Sequence, residues 1–240
     1  MGSATIIINA TGALDTPLFF HLKKTFFPRF CHPCRLERNH LNRISHNMKR
    51  LIIAITGASG VIYGIRALQI LRELPGVESH VILSSSAART MVEETDYSLD
   101  AVKNLADVLY NPKDIGAAIS SGSFKTEGML IAPCSVKTLS GIANCYDDEL
   151  VVRAADVCLK ERRKVVLLFR ETPLHAGHIR LMQEVTANGA IVMPPVPGFY
   201  SRPQSIEDMV TQTVGRALDL LGIESGKVKR WKDTPPPLNT

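Results

Sequence analysis

Short apolar runs alternating with stretches of helical spacing leave this 240-residue chain few folds to choose from. Leu51-Ile52-Ile53-Ala54-Ile55 has no polar alternation, as expected of a parallel strand covered on both faces, and it ends in Thr56-Gly57. Over residues 61–74, Ile62, Ile65, Leu68 and Leu71 recur at helical spacing until Pro75-Gly76 breaks the pattern. Further strands are expected at 80–83, 128–132, 164–169 and 190–193. Further helices are expected at 87–94, 135–144, 150–162, 175–188 and 205–221. Ser205 with Asp208 three residues on approximates an N-terminal capping box for the last of these. Strand-helix alternation of this kind specifies an α/β fold, a doubly wound parallel sheet in a single domain. Ligands of such sheets bind outside the carboxyl ends of the strands. The chemistry is therefore expected at residues 56–60, 84–86 and 133–138 and just after Phe169.

Composition narrows the function. The net charge is +5, but residues 1–47 hold six basic residues against Asp15 and Glu37, which leaves +1 for the rest. A nucleic-acid binder carries its basic excess on the folded domain, so no nucleic-acid partner is expected. Five dispersed cysteines do not read as a disulfide framework, and a reducing compartment is the simpler reading. No apolar run approaches the roughly 20 residues of a membrane span, so no membrane partner is expected.

Residues 1–47 lack clean periodicity and are expected to be a disordered extension; residues 48–232 form the domain, and residues 233–240 form a proline-rich tail. The extension reads either as a mitochondrial presequence or as upstream sequence without a structural role. The second is favoured because Met48-Lys49-Arg50 directly precedes the first strand. Cys31-His32-Pro33-Cys34 with His40 and His46 has Cys-to-His spacing too short for a zinc finger. A cytoplasmic location follows, mitochondrial only if the extension is a presequence.

Three loops carry chemistry. In Thr56-Gly57-Ala58-Ser59-Gly60 the glycines allow a tight turn, Ser59 supplies a hydroxyl, and the helix start supplies N–H groups for an anion. By itself the loop reads equally as a plain tight turn. In Pro133-Cys134-Ser135-Val136-Lys137-Thr138, Ser135 and Thr138 offer hydroxyls or cap the next helix, and Cys134 reads as a buried structural thiol. Arg170-Glu171-Thr172-Pro173 follows a buried strand; Arg170 suits a phosphate and Glu171 a general acid, against the alternative of a solvated ion pair. Asp147-Asp148-Glu149 reads as a solvated charge run in a loop, and His175 and His178 as packed or polar helical histidines rather than ligands.

These loops, with Glu94-Thr95-Asp96, Arg153-Ala154-Ala155-Asp156-Val157, Leu159-Lys160-Glu161-Arg162, Pro194-Pro195-Val196-Pro197-Gly198-Phe199-Tyr200 and Arg230-Trp231, resemble the UbiX/Pad family of flavin prenyltransferases. The resemblance covers residues 48–232 in family order and says nothing of the extension. It implies a flavodoxin-like (Rossmann-like) sheet and a homo-oligomer, a dodecamer. It implies transfer of the dimethylallyl group of dimethylallyl monophosphate to reduced FMN, with a UbiD-type decarboxylase as recipient of the product. On this resemblance FMN contacts fall on Gly57, Ala58, Ser59, Ser84, Ser135, Val136, Lys137, Thr138 and Arg170. Prenyl-phosphate contacts fall on Lys160, Arg170, Tyr200 and Arg216, and Glu94, Arg153 and Glu171 match further active-site positions. Trp231 reads either as a packing residue or as a π surface facing the prenyl group.

Two other functions were weighed. An FMN-dependent cysteine decarboxylase of the homo-oligomeric flavin-containing type would carry a Pro-Ala-Ser-Ala-Asn-Thr loop where this chain has Pro133-Cys134-Ser135-Val136-Lys137-Thr138. An electron-transfer module would leave Lys160, Glu171, Tyr200 and Arg216 idle. A monophosphate has no second phosphate for a cation to neutralise, so turnover is expected to survive EDTA. Complete loss of turnover in EDTA, restored by Mg²⁺, would overturn that expectation.

Overall fold

In strand β1 (Lys49–Ile55), Leu51, Ile53 and Ile55 point into one apolar layer, while Ile52 and Ala54 point into the other. A strand buried on both faces needs helices on both faces, and the sequence supplies them. The structure, a computed structural model, describes residues 48–232. The expected extension, its Cys31-His32-Pro33-Cys34 stretch and the tail lie outside the described residues.

Six strands form one parallel sheet in the order β3-β2-β1-β4-β5-β6, with β2 at Val77–Leu83, β3 at Val108–Tyr110, β4 at Gly128–Cys134, β5 at Lys164–Phe169 and β6 at Ile191–Val192. Without the three-residue edge strand β3, the other five run in the flavodoxin order; with it, the order is that of a dinucleotide fold. Helices α1 (Val61–Arg72), α2 (Ser85–Glu94) and α7 (Ile206–Leu220) cover one face. Helices α4 (Val136–Ala143), α5 (Leu150–Lys160) and α6 (Ala176–Ala187) cover the other. Ile53 is fully buried between the layers, and truncating such a side chain to Ala costs about 2–5 kcal/mol.

Two elements were not expected from the sequence, α3 (Leu99–Lys103) and β3. Both are too short to show a period, and β3 is a half-exposed edge strand without an apolar run. The strand expected at 190–193 shrinks to Ile191–Val192, because the Ala190 N–H still belongs to the preceding helix and donates to the Val185 carbonyl. The helix expected from residue 87 starts at Ser85, since the Ser84 side chain caps it by accepting from the Ala87 N–H.

Two glycines set close approaches near the carboxyl end of β1. A Cβ on Gly64 would lie 2.4 Å from the Ala132 carbonyl oxygen, so α1 rests directly on the β4 backbone. A Cβ on Gly57 would lie 2.4 Å from Ser86 Cβ, so the loops after β1 and β2 touch. The strand order reverses between β1 and β4, and the crevice at that point opens above these contacts.

At the other half of the sheet His80 is buried on β2, with Nδ1 2.9 Å from the Tyr110 hydroxyl and Nε2 3.2 Å from Glu78. Arg50, which donates to Glu78 and lies over the Phe124 ring, and Asp107 also face this group. Burial pulls the His80 imidazole below its ordinary 6.5, outweighing the pull of Glu78 in the opposite direction. The unfolded chain therefore binds the proton first as pH falls. The stabilisation is complete above pH 6.5 and is lost as pH falls from there through the lowered folded value. Thermal melts should show a lower Tm at about pH 5.5 than at about pH 7.5, and His80→Phe should flatten that slope.

Candidate functional site

The carboxyl ends of β1, β2, β4 and β5 surround a cavity of about 360 Å³ at the switch point. Thr56 organises it. Its side chain, almost fully buried, donates to the Pro133 carbonyl at 2.7 Å and accepts from the Ser135 N–H at 2.9 Å. One hydroxyl thereby joins the loop after β1 to the loop after β4. The Ser84 N–H donates to the Ile55 carbonyl and the Arg170 N–H to the Cys134 carbonyl, so the neighbouring strand ends are pinned in the same way.

The walls are Thr56, Gly57, Ala58 and Ser59 from the first loop, Ser84 and Ser86 from the second, residues 135–138 from the third, and Arg170 and Glu171 from the fourth. All nine positions expected to contact a flavin are in this set, together with Glu171. Three helices aim their first turns at the space. Gly60, at φ +96°, ends the loop before α1, and Ser84 and Ser135 cap α2 and α4. Such helix starts attract anions through their N–H groups and dipoles. The Gly60 N–H is already taken by the Glu94 carboxylate at 2.7 Å, so Glu94 fastens the loop from outside the cavity and does not line it.

Charge inside the cavity is divided. Among the described residues no ion pair engages Arg170, and the alternative of a solvated pair with Glu171 does not form; Glu171 accepts from the Thr172 N–H instead. Burial raises the neighbouring Tyr63 phenol and Arg170 draws it back down. Lys137 pairs with Glu149 at 2.6 Å, and that hydrogen bond raises the ammonium above its ordinary value. The run Asp147-Asp148-Glu149 is thus not a solvated face. Asp147 pairs with Arg153 at 3.1 Å, while Asp148 and Glu149 flank Lys137, because the turn after α4 folds back over the cavity mouth. Cys134 is fully buried, which pushes its thiol far above the ordinary range and leaves no thiolate nucleophile.

Besides Glu94, five expected site residues do not line this cavity. Arg153, one turn into α5, is held by Asp147 and Asp156. Lys160 ends α5 and pairs with Glu161. It precedes the amino end of β5, whereas Arg170 follows the carboxyl end, a strand length of about 20 Å away. Tyr200, in the turn before α7, gathers with Arg216 on α7 and Trp231 in the chain after it. His175 and His178 cap α6 and stack at 3.7 Å. Among the described residues no group of three or more His, Cys, Asp or Glu is placed to hold a metal ion.

Thr56 and Ser86 fall in segments where chemistry was expected but were given no role of their own, and Glu149 was read as part of a solvated charge run. For Thr56 a signal existed: it is the polar residue that closes a strand otherwise buried on both faces.

Known proteins share this arrangement. The family described as Flavoprotein matches residues 40–217. The chain is 58% identical over 176 residues to the flavin prenyltransferase UbiX of Escherichia coli, covering 73% of this chain and 93% of that protein. It is 50% identical over 182 residues to UbiX of Thauera aromatica, covering 76% and 93%. A crystal structure of AnUbiX in complex with FMN and dimethylallyl pyrophosphate superposes with a TM-score of 0.75 at 48% identity, covering 78% of this chain and 98% of that one. A dodecameric FMN-dependent Ubix-like decarboxylase from Escherichia coli superposes with a TM-score of 0.74 at 48% identity, covering 76% and 99%. The fold and the cavity define an FMN-type flavoprotein. The chain belongs to the Flavoprotein family and, within it, to the flavin prenyltransferases of the UbiX group. An FMN-dependent cysteine decarboxylase is 17% identical with a TM-score of 0.54, a likeness of fold alone.

Thr56→Val keeps the shape and removes both bonds that join the loops. It should lower unfolding stability by about 2 kcal/mol, measured by urea denaturation, and weaken flavin binding as the loops part.

Proposed function

We propose that the chain is a flavin prenyltransferase, joining the dimethylallyl group of dimethylallyl monophosphate to reduced FMN and releasing phosphate, with a UbiD-type decarboxylase as recipient of the product. The observation that carries this reading is the cavity itself: four strand ends converge on it and line it with hydroxyls, helix starts and Arg170. Gly57, in contact with Ser86, leaves backbone rather than side chain facing the space, as a cradle for a planar phosphorylated group requires.

Gly57, Ala58, Ser59, Ser84, Ser135, Val136, Lys137, Thr138 and Arg170 would hold the FMN. Reduced FMN, when bound, supplies the ring that accepts the five-carbon unit. The protein's own work is on the phosphate. Cleavage of the allylic C–O bond gathers negative charge on the departing oxygen, and guanidinium forks and a phenol hydroxyl hold such an anion. Arg170, without an ion-pair partner among the described residues, has its fork available for this. Glu171, at the cavity wall, would give a proton to the leaving phosphate. Glu94 keeps the first loop in position.

Lys160, Arg153, Tyr200, Arg216 and Trp231 do not reach their own cavity, so a homo-oligomer, a dodecamer, is the assembly in which copies of this chain supply them to one another. Residues 48–232 would suffice for this activity. The described helices include none long and apolar enough to cross a membrane, and a cytoplasmic location fits the reading, unless residues 1–47 serve as a mitochondrial presequence.

Anaerobic incubation with reduced FMN and dimethylallyl monophosphate, followed by mass spectrometry of the released flavin, tests this. The flavin should gain one five-carbon unit. Recovery of FMN at its original mass would contradict the reading.

A further inference from the structure

Helix α7 carries a polar side chain where its neighbours are buried. Gln212 is 8% exposed and lies beside Val210, Thr213 and Val214, all buried. A carboxamide in such a place needs partners for its oxygen and its nitrogen. Gln212 finds them in the chain that returns past the end of the helix. Its Oε1 accepts from the Lys229 N–H at 2.9 Å, and its Nε2 donates to the Lys229 carbonyl at 3.0 Å. The side chain thus brackets one residue's backbone as a neighbouring strand would. Nε2 also donates to the Tyr200 hydroxyl at 3.3 Å.

The same face of α7 holds the returning chain at two more points. A Cβ on Gly215 would lie 2.7 Å from Val228, so the segment rests on the helix backbone itself. One turn on, Arg216 and Arg230 both donate to the same oxygen of Asp219, at 2.8 and 2.9 Å, and the Asp219 side chain is 11% exposed. Residues 212, 216 and 219 share a helix face by their spacing. The product is a surface of fixed composition. The Trp231 ring stands edge-on to Tyr200 at 5.6 Å, both rings are exposed, and the two arginines meet at Asp219, two helix turns beyond Gln212. Exposed aromatics and cations held this firmly suit a ligand with an apolar end and a phosphate end.

We infer that Gln212 is a positioning residue, fastening Lys229 to α7 and orienting the Tyr200–Trp231 pair, while Asp219 orients Arg216 and Arg230, so that a short isoprenoid phosphate meets a preformed cationic and aromatic face. The ligand class rests on the proposed prenyl transfer; the hold on Trp231 does not.

Trp231 is the chain's single tryptophan, so its emission reports this hold without interference. Gln212→Leu, similar in size, removes all three bonds. In the full-length protein its Trp231 emission should shift to the red and become more accessible to acrylamide. The KM for dimethylallyl monophosphate should rise about tenfold while kcat changes by less than about twofold, since the variant loses orientation and not the reacting groups. Gln212→Glu keeps the acceptor for the Lys229 N–H and loses both donations, and it carries the same readouts if Gln212→Leu fails to give a folded circular dichroism spectrum. Unchanged emission or an unchanged KM in the folded variant overturns the assignment. So does the failure of both variants to fold, which would make Gln212 a residue of stability. Tyr200→Phe and Arg216→Lys separate this from the reading it rests on. If neither moves the KM, this face is not where the prenyl phosphate binds, and the emission arm still reports on Gln212.

Discussion

A single buried hydroxyl links the two loops between which the strand order reverses. Thr56 donates to the Pro133 carbonyl at the end of β4 and accepts from the Ser135 N–H just beyond it. A parallel sheet always leaves a crevice where its order reverses, but the crevice becomes a shaped cavity only if its two walls keep a fixed separation. Here a short O–H···O bond and an N–H···O bond set that separation in a place without competing water. The packing of α1 on β4 at Gly64 and the contact of Gly57 with Ser86 then fix the floor and the third wall.

On this frame the charges fall into an order that suits a phosphate ester. Arg170 has no ion-pair partner among the described residues, whereas Lys137 is neutralised by Glu149 and Arg153 by Asp147 and Asp156. A half-exposed guanidinium left without a carboxylate at the end of a buried strand is free to take an anion. The surrounding hydroxyls of Ser59, Ser84, Ser135 and Thr138 suit an anion's remaining lone pairs. Ser135 and Thr138 meanwhile bond to one another at 3.1 Å, which keeps them oriented.

Much of this was legible in the sequence, for identifiable reasons. Strands buried on both faces lack alternation and stand out, so β1, β2, β4 and β5 and the loops after them could be placed, while the flavin contacts within those loops followed from the resemblance to the UbiX/Pad family. The edges of the sheet were not legible: β3 and β6 are three and two residues long and half exposed, leaving no pattern to read. Nor could sequence spacing reveal pairings across distant segments. The charge run 147–149 looks solvated until the fold brings Arg153 and Lys137 against it, and Gln212 looks like an ordinary helix residue until the chain at Lys229 returns past it. The grouping of Tyr200, Arg216 and Trp231 follows from that same return, and Lys160 is separated from Arg170 by the length of β5.

The account stands on the cavity being a site for a phosphorylated flavin. Equilibrium titration of the full-length chain with FMN and with riboflavin, followed by flavin fluorescence, addresses this directly. Charge-assisted hydrogen bonds from the Arg170 guanidinium to the phosphate predict FMN binding about a hundredfold tighter than riboflavin. Equal affinities for the two flavins, or no binding of either, would contradict it.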